Sequence, residues 1–528
     1  MITENKPKWA QLYASIPKPV TTAFYACVIA GFLVHLFAFT NIIPNSDGLS
    51  RIYGAQQMTI SGRWFLHYAS IFHGFIQAPA LIGVLSLLFM GIAAGMTVDL
   101  LSIRSPAYAG LWGCLMAVFP PIAYNYLYMF TASAYGFGCL LAVSAVWIYR
   151  RHKWGLLPAG LLLACSIGTY QAYLAVAVSL GLICVIRDLL DSSRSTSVIV
   201  KDGFRMLAMY ALGAILYVAI LWIFLQVKDL SLLNYRGIGS AGQPQSLVML
   251  LRSILSACKH TLFYFLVPYE VSYATLPLTV AHWFFALCGA FALTRRLLGR
   301  KKLSIDRTLL LFAGILMLPL ALNLTQVLTN MSPNMRYSMV FAYLLPIVLM
   351  DGTALSDRRL FRPVKPVFAC CAAVVILVSA QICNLAYVSS ATAHRAAQTF
   401  AGNLVSRVEQ TPGYRSDMEV VVIGSFPRSV YHSSVEEFEL VEHYSCMADT
   451  VLDLNKHIYY YLNDWLNVPW QEPEEQTMID VSESEMFRSM PLYPSDGSVR
   501  ISDGRVIVKL APTYTPRRPY EIEYENRR

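Results

Sequence analysis

Only eleven acidic residues fall within the first 387 positions of this 528-residue chain, so the place of each carries information. Asp47 stands in the segment IIPNSDGLSRIYGAQQMTISGRWFLHYASIF, followed by Arg51 and then by Gly62-Arg63-Trp64. The mixture of polar and aromatic residues from Asp47 to Phe75 predicts one or two short helices lying at a membrane interface. If the segment is helical from Asp47, Arg51 falls one turn later on the same face. A carboxylate takes a proton from a hydroxyl, a guanidinium holds phosphate through paired hydrogen bonds, and an indole stacks on a sugar face. That set suits a polar-headed lipid. An Asp47 helix N-cap, with arginines resting on lipid head groups, accounts for the same residues about as well.

Other polar groups are candidates for the same cavity. Tyr170 and Gln171 lie in GTYQA, and Asn334 and Arg336 in NMSPNMRYSMV. A polar turn explains the first pair equally, and a snorkelling arginine is the commoner fate of a single cation like Arg336. Asp229, Arg236 and Glu270 are scattered along 227–272 and are individually weak. His67 and His73 have no Cys or acidic partner at metal-ligand spacing, so satisfied histidines are expected there. No cytoplasmic glycine loop of the phosphate-binding kind occurs, which disfavours a nucleotide-powered pump.

The elements that must position these groups are membrane helices. The chain is 56% hydrophobic and 14% charged, with a mean hydropathy of +0.49, so the bilayer is its main solvent. Each crossing needs about 20 apolar residues. Stretches of that kind occur at 20–40, 78–98, 106–124, 128–149, 155–169, 172–187, 206–226, 273–293, 308–328, 336–350 and 366–387, predicting about eleven spans. The fifth and sixth are separated because Gly168-Thr169-Tyr170-Gln171 places polar groups in what would be one overlong helix. A merged, tilted helix is the alternative and would invert everything downstream.

Charge asymmetry favours the split. With a cytoplasmic N-terminus (1–19), the inside segments hold 21 Lys and Arg and the outside loops 7, as the positive-inside tendency requires. The remaining 13 lie after residue 387 with 21 acidic residues, so the tail carries about −8 against +17 for the membrane part. The basic pI of 8.9 therefore reflects topology, and nucleic acid is not an expected partner. Ten of the eleven cysteines sit in or beside apolar stretches and only Cys446 lies in the tail, where no disulfide can form within the domain. No cleavable signal is evident, because the first apolar run is itself a full span.

The expected organisation is an all-α polytopic membrane domain at 20–390, with outer loops 41–77 and 227–272, followed by a soluble α/β domain at 391–528 on the non-cytoplasmic side. Within that domain MEVVVIGSF reads as a buried strand, SVRISDGRVIVKL as a hairpin about Asp503-Gly504, and 449–466 as helical.

The run N-S-D-G-L-S-R with G-R-W in the first outer loop, the G-T-Y-Q-A junction and the late arginine resemble the bacterial type II glucosyl transferases, the O-antigen-modifying membrane enzymes. The resemblance covers most of 20–390. It implies a GT-C-like fold in the bacterial cytoplasmic membrane, with a polyprenyl-phosphate sugar as donor and a cell-surface glycan as acceptor. Carried over, it makes Asp47 the catalytic acid, and Arg51, Arg63, Trp64, Tyr170, Gln171 and Arg336 donor- or acceptor-binding residues. Many GT-C enzymes pair two acids in this loop, whereas here Asp47 is followed by Gly48; Asp229 or Glu270 would have to supply a second carboxylate. No cofactor is implied, and a divalent cation is compatible with the chemistry although no carboxylate cluster is dedicated to one. Two other readings stay open, a flippase of lipid-linked sugar and a polysaccharide polymerase or ligase. A flippase would want ionisable groups near the midplane of its spans, and here they sit at the edges.

Overall fold

The computed structural model describes residues 14–49, 52–191, 193–232, 246–268, 275–298, 304–328, 333–351, 363–427, 430–431, 434–441 and 451–516. Among them, eight helices are long and apolar enough to cross a bilayer. They are α1 (Lys18–Thr40), α2 (Pro79–Leu101), α5 (Met129–Arg151), α7 (Tyr173–Leu190), α8 (Thr196–Val227), α10 (Thr275–Leu298), α11 (Ile305–Leu322) and α13 (Val364–Glu409).

The count of eleven spans is not reached, and the reasons are local. The stretch 106–124 is two helices, α3 (Pro106–Val118) and α4 (Pro121–Leu127), bent by 49°. Pro120 and Pro121 lack amide donors and push Phe119 to an extended ψ of 125°, which ends α3. The stretch 155–169 is the short helix α6 (Leu156–Thr169). It is not merged with α7, since Tyr170 is extended at φ −158°, ψ 116°. The stretch 336–350 is a 3-10 run, Pro333–Tyr343, leading into α12 (Leu344–Asp351). At about 2.0 and 1.5 Å per residue the two together rise roughly 34 Å, but the run is buried among other helices rather than wrapped in lipid.

The expected outer loop 227–272 is not without structure. Residues 247–266 form α9 (Leu247–Leu266), where Arg252, Lys259 and His260 interrupt an otherwise apolar sequence. Only Ala257 and Thr261 of this helix are buried. It packs against α10 and α11.

α1 packs between α2 and α3, α2 against α5, α5 against α6, and α6 against α8, while α7 lies against α5, α11 and the 3-10 run. The basic connections meet at one end of this bundle. Asp188, 2% exposed, is paired with Arg150, Arg187 and Arg194, and Arg194 also pairs with Asp202 at 2.6 Å. Arg307 donates to the carbonyls of Asp188, Leu189, Asp191 and Arg194 at the C-terminus of α7, where a cation is favoured by the helix dipole. Asp351 accepts the amides of Arg104 and Ser105 at 2.9 and 2.8 Å. The segments 102–105, 187–205, 304–307 and 351 thus share a face.

α13 runs unbroken through residue 390 for 46 residues, about 70 Å. Its first half packs on α10 and α1. Its second half supports a three-stranded sheet, β1 (Glu419–Ile423), β2 (Val499–Ser502) and β3 (Arg505–Lys509), in the order β1-β3-β2 with β1 and β3 parallel. The β2–β3 turn has φ 50° at Asp503 and 73° at Gly504, as a tight hairpin needs. Strand alternation sends Val420 and Val422 against Phe400, Leu404 and Val408 of α13, and Val421 and Ile423 against Met478 and Phe487. Between the strands lie α14 (Asn455–Tyr460), a π turn at Tyr461–Trp465, α15 (Glu475–Glu483) and α16 (Glu485–Ser489).

Candidate functional site

The first loop is not a pair of interfacial helices. It holds 3-10 turns at Ser46–Gly48, Thr59–Ser61 and Ile71–His73, and one helical turn at Leu66–Ala69. Gly62 and Gly74, at φ 77° and 65°, close the second and third 3-10 turns in a conformation that glycine tolerates best. Isolated bridges join Tyr53 to Ile76 and Met58 to Arg63.

Asp47 lies in the Ser46–Gly48 turn, and Asn45 rather than Asp47 caps it. Asn45 Oδ1 accepts the Gly48 amide at 2.8 Å, while its Nδ2 donates to the Leu127 carbonyl at the end of α4 at 2.6 Å. Such an Asx turn fixes the backbone locally. Gly48 is buried, and a Cβ there would lie 3.4 Å from the Phe130 ring. The Asp47 side chain, by contrast, is exposed. Among the described residues no hydrogen bond or ion pair engages its carboxylate, which leaves both oxygens open to an incoming hydroxyl.

The two other motifs clasp each other. Phe65 N donates to Gly168 O at 2.9 Å, Gln171 Nε2 to Ser61 O at 2.9 Å, and Tyr217 Oη to Gly62 O at 3.0 Å. Arg63 lies over the Tyr170 ring at 5.1 Å and donates to Tyr135 Oη at 3.3 Å. The Tyr135 and Tyr170 rings stack at 4.4 Å, so the guanidinium rests on a preformed aromatic seat. Trp64 is 5% exposed and stacked on Phe224 at 5.8 Å. Its ring crosses Gly168 so closely that a Cβ there would fall 2.6 Å from Cε2. Gly168→Ala should therefore cost about 1–3 kcal/mol through overpacking, read as a lower thermal midpoint with a parallel loss of activity.

Arg336 sits half-buried on the 3-10 run, its Nε enclosed and, among the described residues, without a hydrogen-bond partner. The run is pinned by the two residues that follow Arg336: Tyr337 Oη donates to Met116 O at 2.8 Å and Ser338 Oγ to Leu322 O at 2.6 Å. It packs against α4, the helix whose last turn holds Asn45. Tyr337 also lines one small internal cavity with Asn125 and with Tyr135, the tyrosine that receives Arg63. The structure thus gathers Arg63, Trp64, Tyr170 and Gln171 directly, and ties Asp47 and Arg336 to the same short helix. Asp229 is exposed after α8 at φ 49°. Arg51 and Glu270 lie outside the described residues.

His67 Nδ1 bonds the Ala55 carbonyl at 2.6 Å, and His73 Nδ1 shares a 2.8 Å hydrogen bond with Ser133 Oγ. Among the described residues no group of three or more His, Cys, Asp or Glu is placed to hold a metal ion. Burial lowers the His73 pKa to about 4. The folded state then binds fewer protons than the unfolded one between about pH 4 and 6.5, so the stability His73 lends is complete above 6.5 and lost as pH falls toward 4. At about 1.4 kcal/mol per pH unit that is about 3.5 kcal/mol at most. Thermal midpoints should fall less steeply with acid in His73→Gln than in the wild type.

Asn45, Leu127, Tyr135, Tyr217 and Phe224 are the supports that sequence reasoning missed. Asn45, two residues ahead of Asp47, carried an Asx-turn signal; the aromatics inside apolar helices carried none.

The family model for glucosyl transferase GtrII matches residues 36–348, more than half of the chain and a range that contains all the loop and junction motifs above. No curated protein matches the chain, and no solved structure does.

Proposed function

The chain belongs to the GtrII glucosyl transferase family, and from that premise we propose that it transfers a glucosyl-type unit from a polyprenyl-phosphate sugar to a cell-surface polysaccharide such as O-antigen. The observation that carries the reading is the exposed carboxylate of Asp47, unengaged among the described residues, on a turn held by Asn45.

In this reading Asp47 is the general base. The acceptor hydroxyl gives its proton to the carboxylate as its oxygen attacks the anomeric carbon, and the bond from that carbon to the phosphate oxygen breaks. The polyprenyl phosphate leaves with the electron pair. A displacement from one face inverts the anomeric centre. Arg336 and Arg63 answer the negative charge that grows on the leaving phosphate, preorganised by the 3-10 run and by the tyrosine stack. Trp64, Tyr170 and Gln171 hold the loop against the junction rather than face the ligand, because the first two are buried and the third is bonded to the loop backbone. Arg51, four residues from Asp47, remains a candidate for the donor phosphate, and Asp229 and Glu270 for a second carboxylate.

Transfer takes place on the non-cytoplasmic face of the bacterial inner membrane. The gathering of Arg104, Arg150, Arg187, Arg194 and Arg307 at one end of the bundle supports that side as cytoplasmic. Asp47 and the tail domain then lie opposite. A reporter active only outside the cytoplasm, fused to the C-terminus, should be active; silence would reverse the orientation. The activity is tested by supplying labelled polyprenyl-phosphate sugar to membranes with and without the protein. Label should appear in surface glycan only when the protein is present. Movement of the labelled lipid between leaflets without transfer would replace the reading with a flippase.

A further inference from the structure

Leu49, two residues after Asp47, is fully buried, yet it does not join the hydrophobic core of the membrane bundle. It belongs to the core of the C-terminal domain, with Ala397, Phe400 and Leu404 of α13 and with Tyr461. Its carbonyl accepts a hydrogen bond from Trp465 Nε1 at 2.8 Å. The indole is itself seated against α13, where the His394 ring meets it at 6.3 Å and 75° while sharing a 2.9 Å hydrogen bond with Tyr461 Oη.

Asp47 is therefore caught between two anchors four residues apart: Asn45, tied to the membrane domain at Leu127, and Leu49, tied to the C-terminal domain at Trp465. We propose that the C-terminal domain is a working part of the transferase, holding the Asp47 turn in its reactive geometry, with Trp465 as the positioning residue. This rests on the reading of Asp47 as base. The physical reason is that a base displaced by about 1 Å loses on the order of a hundredfold in rate, and a short turn anchored at one end only would move by that much. The sequence separation between the two parts, 416 residues, is bridged by α13, which leaves the bundle and reaches the tail domain without a break.

The test uses the full-length protein in lipid vesicles, as wild type, Trp465→Phe, Trp465→Ala and Leu49→Ala. Trp465→Phe keeps an aromatic ring and removes only the donor. Hydrogen exchange of the peptide covering 45–49 should quicken about fivefold in Trp465→Phe, as for loss of a bond worth about 1 kcal/mol, and more in the two alanine variants. Sugar-transfer kcat should fall about tenfold in Trp465→Phe with the KM for the lipid donor unchanged and the thermal midpoint preserved.

Wild-type exchange in Trp465→Phe and Leu49→Ala would overturn the proposal, because the tie would then hold nothing. So would faster exchange with an unaltered kcat, or a rise in the acceptor KM alone, which would make Trp465 a substrate contact. If the wild type transfers no sugar at all, the transferase reading falls, and the exchange data still report on the tie.

Discussion

Asp47→Asn is expected to lower sugar transfer by about a hundredfold to ten-thousandfold, the range that a general base contributes, while leaving expression and membrane insertion unchanged. The side chains are nearly the same size, and Asp47 is exposed with no partner among the described residues to lose. A surface change of that kind alters stability by about 0.5 kcal/mol or less. The turn itself is made by Asn45 and Gly48, so the substitution leaves it intact. Asn45→Ala is the instructive contrast. It leaves the carboxylate in the chain but removes both the cap and the bond to Leu127, so activity and loop order should fall together.

Arg336→Met is expected to reduce turnover about a hundredfold, the loss seen when one preorganised charge-stabilising donor is removed. Its effect on stability should run the other way. The Nε of this half-buried guanidinium has no hydrogen-bond partner among the described residues, so enclosing it carries a desolvation cost. Methionine of similar length removes that cost, so the thermal midpoint should stay level or rise. Arg336→Lys keeps the charge without the planar donor fork and should fall between. A variant that lost activity and stability in parallel would show Arg336 to be a structural cation, as a snorkelling arginine would be.

Legibility in the sequence followed from how local each signal was. Hydropathy located helices in all eleven predicted stretches because lipid demands long apolar runs. It marked 155–169 as short, but it did not foresee which stretches would be bent or 3-10, since Pro120-Pro121 and the Pro333–Tyr343 run act through backbone geometry. α9 was read as part of a loop because three basic groups interrupt its apolar face. In the tail, the hairpin at Asp503-Gly504 and the strand at Glu419–Ile423 were visible from turn chemistry and a run of valines. The motifs G-R-W and G-T-Y-Q were singled out, yet their mutual contact depends on Gly168 admitting the Trp64 ring, a tertiary fact. Least visible was the docking of Leu49 on Trp465, because a leucine in a loop and a tryptophan far along the chain give no sign of each other.

The central claim is that an exposed carboxylate in the first loop performs the chemistry. It is tested most directly by purified protein in vesicles, wild type and Asp47→Asn at equal amounts, given labelled polyprenyl-phosphate glucose and a surface-glycan acceptor. The account predicts rapid transfer by the wild type and at least a hundredfold less by the variant, with equal thermal midpoints. Equal transfer by both proteins would contradict it and remove Asp47 from the reaction.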